Sequence, residues 1–87
     1  IIINRNEYKI IKNKKDIILP RKEFELFYLL GSKPGKVFTR DEIMSKVWGS
    51  QVIVGDRTID VHIRKLREKI GDSYFKTIKG VGYKFAQ

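Results

Sequence analysis

Residues 56–70, DRTIDVHIRKLREKI, constrain any fold this chain can adopt. Ile59, Ile63, Leu66 and Ile70 recur at helical spacing and form one narrow apolar stripe, the mark of a helix that buries a single face. Asp56 stands where a helix cap belongs and Gly71 just past the end, the usual chemistry of a start and a stop. Val61 is not part of that stripe. It lies roughly 160° around the helical wheel from Ile59, grouped with Arg57, Arg64 and Lys65 on the face that should meet water.

Such a helix needs a core to lie on, and 87 residues supply one modest core, hence one domain over 1–87. Hydrophobic residues make up 41% and prolines number two, a globular composition. There is no cysteine, which removes disulfides, thiolate metal sites and thiol catalysis together. No apolar run approaches the ~20 residues of a membrane helix and no secretory signal opens the chain, so a cytoplasmic location without membrane contact is expected. The chain begins at Ile1, in strand-like sequence with no lead-in, and reads as a piece of a longer protein. A net charge of +9 favours a polyanionic partner.

Three apolar clusters, Ile1 to Ile3, Tyr8 to Ile11 and Ile17 to Leu19, are separated by NRNE and KNKKD and predict a small antiparallel meander. After Pro20, RKEFELFYLLGS places Phe24, Phe27, Leu30 and the neighbouring Tyr28 at helical spacing. KPGK is a turn, Val37 and Phe38 predict a short strand, and Thr39 with Glu42 three residues on predicts a capping box opening a second helix. Its inner face would be Ile43, Met44, Val47 and Trp48. A loop with apolar Val52, Ile53 and Val54 leads into helix 56–70, and YFKTIKGVGYKFA closes the chain as a hairpin over 74–86. Two helices joined by a loop and followed by a β-hairpin are a winged helix-turn-helix, an α+β fold whose later helix enters the DNA major groove.

On that helix Arg57, Arg64 and Lys65 suit phosphates or guanine acceptors, and Val61 offers a methyl surface of the kind thymine contacts require. An exposed valine is also a common and inert surface feature. Thr58 either bonds a phosphate at the helix start or caps it. Arg67, at the edge of the outward face, suits the DNA backbone, with Asp60 expected to pair with it or to hold Arg64. His62 either bonds a phosphate or packs at the helix edge, and as the one histidine in a chain without cysteine it lacks partners for zinc. In the hairpin, Thr77, Lys79 and Gly80 form a small cationic projection toward a phosphate edge or minor groove. Val52, Ile53 and Val54 either present a patch to polymerase or fold inward. Glu23 and Glu25 lie two apart and do not share a helix face, and no nucleophile elbow, phosphate loop or metal motif is present, so neither an enzyme nor a cofactor is expected.

KEFELFYLL, PGKVFTRDEIMSKVWG, DRTIDVHIRKLREKIG and TIKGVGYKF, which cover most of residues 22 to 85, closely resemble the DNA-binding effector domain of OmpR/PhoB-family two-component response regulators. The resemblance implies a four-stranded N-terminal antiparallel sheet, three helices and a C-terminal wing, joined in the parent protein to a receiver phosphorylated on aspartate. It places Arg57, Thr58, Val61, His62, Arg64, Lys65 and Arg67 at or near DNA, Thr77, Lys79 and Gly80 at the minor groove or backbone, and the 49–55 loop at the transcription machinery. It also implies tandem homodimers on direct repeats, RNA polymerase as a partner, and a cognate histidine kinase acting through the receiver. Pro20 replaces the threonine that relatives commonly carry, so the side-chain cap of the first helix is missing. Lys65 and Lys79 stand where arginine is frequent, and lysine lacks the bidentate fork, which favours phosphate contact there. A membrane-tethered activator with the same domain, or a winged-helix module for protein or RNA, are the alternative readings.

Overall fold

A computed structural model of the chain describes residues 2–49, 55 and 57–86. The expected cap Asp56 and the apolar Val52, Ile53 and Val54 lie outside the described residues. The N-terminal meander forms as β1 (Ile2–Asn4), β2 (Lys9–Lys12) and β3 (Lys15–Ile18), all antiparallel. Its register aligns Ile3, Ile10 and Ile17 across the three strands, so these isoleucines share one face, with Ile10 fully buried. Among the described residues this sheet has three strands where four were expected. Among the described residues the strands after it, β4 (Phe38–Thr39) and those of the hairpin, form a second sheet.

Helix α1 (Arg21–Gly31) starts after Pro20 without a side-chain cap. It buries Phe24, Leu26, Phe27 and Leu30, more than the one stripe expected, because it packs against α3, the wing and the segment after α2 at once. The second helix opens as predicted. The Thr39 hydroxyl accepts from the Glu42 N–H at 3.1 Å, and the Glu42 carboxylate accepts from the Thr39 N–H at 3.0 Å, satisfying two of the N–H groups a helix start leaves unpaired. After α2 (Arg40–Ile43) the backbone widens into a π-helical turn, Met44–Trp48, that ends at Gly49.

Helix α3 (Arg57–Ile70) buries Ile59, Ile63, Leu66 and Ile70, the stripe read from the sequence. A short 3-10 turn (Asp72–Tyr74) leads into β5 (Phe75–Ile78) and β6 (Gly82–Phe85), and the strand order of the second sheet is β4-β6-β5. The core beneath is aromatic: Phe27, Phe75 and Phe85 meet edge to face, with centroids 5.7 to 5.9 Å apart. Burying each such ring contributes about 1.5–3 kcal/mol. One position allows no side chain at all. A Cβ on Gly82 would lie 1.9 Å from the Phe38 carbonyl oxygen, so glycine there is what lets β4 pair against the wing.

Candidate nucleic-acid interface

With the isoleucine and leucine stripe turned inward, α3 directs its opposite face outward. Arg57, Arg64 and Lys65 are exposed and Val61 is half-buried. Arg57, Asp60, Val61 and Arg64 line one shallow depression, so the valine singled out by its helical phase lies directly beside two arginines. Arg64, Lys65 and Lys79 enter no ion pair with any of the described residues. Lys79 and Gly80 form the tip of the hairpin, where the Val81 N–H donates to the Ile78 carbonyl at 2.9 Å and Gly80 takes a positive φ of 75°. That conformation, at the third position of a four-residue turn, suits glycine.

Other expected site residues take different places. Arg67 donates through Nη2 to the Phe75 carbonyl and to the Thr77 hydroxyl, each at 3.0 Å. It therefore binds α3 to the wing, with Thr77 as its acceptor, a contact the sequence did not point to beside the DNA-backbone role expected of Arg67. His62 has its Nδ1 at 2.7 Å from the Thr58 carbonyl, so Nδ1 carries the proton and donates. Its ring meets Trp48 edge to face with centroids 5.0 Å apart. Of the two roles open to His62, packing at the helix edge is present in the structure. Thr58 is half-buried, and its N–H donates to the Gly55 carbonyl at 3.0 Å.

Asp60 pairs with neither Arg67 nor Arg64. Its Oδ1 accepts from Arg40 Nη2 at 2.7 Å and from the Tyr83 hydroxyl, joining α3 to the start of α2 and to β6. Burial works against the charged form, but the Tyr83 hydroxyl and the Arg40 guanidinium outweigh it and hold the Asp60 carboxyl below its ordinary range. The same contact raises Arg40, and burial, reinforced by the carboxylate, pushes the Tyr83 phenol up. Arg40 and Tyr83 were not singled out in the sequence. Arg40 reads there as part of a helix start and Tyr83 as a strand aromatic, and only the fold brings them within reach of a residue 20 and 23 positions away.

Residues 14–85 match the family model described as Transcriptional regulatory protein, C terminal. The chain belongs to this family of response-regulator effector domains. The heme response regulator HssR of Staphylococcus epidermidis is 40% identical over 91 residues, covering 100% of this chain and 41% of that protein. The chain therefore spans about two-fifths of the length of such curated relatives. Response regulator DrrB, a Thermotoga maritima OmpR/PhoB homolog, superposes with a TM-score of 0.87 at 36% identity, over 98% of this chain and 41% of that one. The RstA DNA-binding domain of Klebsiella pneumoniae, solved in complex with the RstA box, superposes with a TM-score of 0.84 at 26% identity over 97% and 88%. As an OmpR/PhoB-family effector domain, the chain is a winged-helix, DNA-binding module of transcription regulation. Among the described residues no helix is long and apolar enough to cross a membrane.

Proposed function

We propose that the domain binds double-stranded DNA sequence-specifically, with α3 in the major groove and the wing against the minor groove or backbone. The observation that carries this reading is the depression formed by Arg57, Val61 and Arg64 on the face of α3 opposite its buried stripe. An α-helix fits the B-DNA major groove, where guanine offers two acceptors and thymine a methyl group. Arg64 and Val61 read base edges. Arg57, Thr58, Lys65 and, on the wing, Lys79 hold phosphates, with the Gly80 turn allowing the backbone to come close. Arg67, Thr77 and His62 act from behind this surface through their contacts with β5 and Trp48.

The reading extends to the parent protein. A receiver phosphorylated by a histidine kinase pairs two such domains on direct repeats, in the cytoplasm, and Val52, Ile53 and Val54 face RNA polymerase. Selection of bound duplexes from a random DNA pool at near-physiological salt tests the central claim. A short element repeated about one helical turn apart is the expected product. Salt-sensitive retention without sequence enrichment would leave only nonspecific phosphate binding. Double-stranded RNA should compete poorly, because the deep, narrow A-form major groove excludes a helix.

A further inference from the structure

We propose that Lys12 is a positioning residue for DNA recognition: from the N-terminal sheet it seats the C-terminal end of α3 and thereby sets how the helix presents Val61 and Arg64. The inference rests on the DNA-binding reading above. A helix end leaves its last carbonyls without partners and carries partial negative charge. Here the Ile70 carbonyl accepts a hydrogen bond from Lys12 Nζ, 58 residues away in sequence. The same ammonium lies 4.9 Å from the centroid of the Tyr74 ring. A Cβ on Gly71 would make only ordinary contact with that ring, at 3.4 Å, and with Lys12 Nζ, at 3.5 Å, and it is the positive φ of 133° that favours glycine where the chain leaves the helix. Carbonyl and ring together form a socket for one cation.

The hairpin holds Lys12 in place. Lys12 pairs with Lys15 across a two-residue loop in which Asn13 and Lys14 both have positive φ, 52° and 65°, the geometry of a type I′ turn that fixes register. On β2, Lys12 shares the inward face with buried Ile10. A lysine on the inner face, directly opposite another lysine, is unfavourable by itself. The negative end of α3 is what offsets it.

Two further contacts grip the same turn. Lys69 Nζ lies 2.7 Å from the buried Glu23 carboxylate on α1, and Arg67 reaches β5. The last turn of α3 is thus held from the N-terminal sheet, from α1 and from the wing. A tilt starting at Ile70 grows toward Arg64 and Val61, since each residue adds about 1.5 Å along the axis.

The test compares the wild-type chain with Lys12→Met and Lys12→Arg, well below their melting transitions. The probes are the duplex the wild type enriches from a random pool and a shuffled duplex of the same composition. Lys12→Met should lose about twofold to fivefold of the preference for the enriched duplex, the upper figure being reached if the whole of what a cation contributes at a helix C-terminus goes into presenting the helix. The slope of log affinity against log salt should stay unchanged, and Lys12→Arg should keep the preference. A slope reduced by about one would assign Lys12 to a phosphate and overturn the proposal. So would an unchanged preference in Lys12→Met, even with a lower Tm, because the residue would then be structural only. If Lys12→Met does not fold, Lys12→Gln, which removes the charge and keeps a polar side chain, carries the same comparison with the same two overturning results. A wild type with no preference for any duplex would instead refute the DNA-binding reading itself.

Discussion

Asp60 on the DNA-facing helix accepts a hydrogen bond from the Arg40 guanidinium at 2.7 Å, and both side chains keep two-fifths or more of their surface in solvent. Tyr83 completes the contact from β6. This latch joins the two helices of the helix-turn-helix to the wing, a second tie between reading helix and wing beside the contacts of Arg67 with Phe75 and Thr77.

Asp60→Asn keeps the shape and removes the charge. Because the pair is partly solvated, the expected loss is modest, about 1 kcal/mol, or a Tm lower by roughly 4–8 °C in a domain of this size. The pH dependence has a definite sign. A carboxyl depressed in the folded state contributes stability above its unfolded pKa, and that stability fades as pH falls through the folded value. Wild type and Asp60→Asn should therefore differ at neutral pH and converge below about pH 4. Glu42, lowered first by the Thr39 backbone N–H it accepts from, loses its capping contribution over the same acid range. Thermal melts across pH check both.

Arg64→Ala should cost about 1–3 kcal/mol on the selected duplex and relax sequence preference, whereas Lys79→Ala should weaken all duplexes alike and reduce the salt slope by about one. Equal losses for Arg64→Ala on selected and shuffled duplexes would remove it from base reading. Binding titrations at three salt concentrations separate the two behaviours.

Lys14 occupies a left-handed backbone conformation with φ of 65°, which a side chain disfavours by about 1 kcal/mol. Lys14→Gly creates Asn-Gly, the preferred pair for a type I′ turn. The variant should be more stable by about 0.5–1 kcal/mol in denaturant unfolding, with unchanged preference between duplexes.

Gly82→Ala should do the opposite. Its Cβ would meet the Phe38 carbonyl oxygen at 1.9 Å and the Thr39 Cα at 3.0 Å, and backbone on both sides leaves nothing flexible to give way. A loss of about 3 kcal/mol or more is expected, read as a lower denaturant midpoint. Gly80→Ala meets open space and pays only for its positive φ, so it should cost less.

What local sequence determined is local in cause. The stripe of Ile59, Ile63, Leu66 and Ile70 follows from helical period, the Thr39 and Glu42 box from three-residue spacing, and the wing from β-branched and aromatic runs around Lys79 and Gly80. Each depends on residues within a turn or two of one another, and each stands in the structure. The basic outer face with Val61 follows from the same period, since fixing the buried side fixes the exposed one. The tertiary structure decided which charges meet. Asp60 had nearby arginines on its own helix, yet packing brought Arg40 and Tyr83 to it. Arg67 was drawn to the wing, Glu23 to Lys69, and Lys12 to the far end of α3. Long polar side chains reach several partners from any one position, so their pairing is set by how close the elements come, which periodicity does not encode.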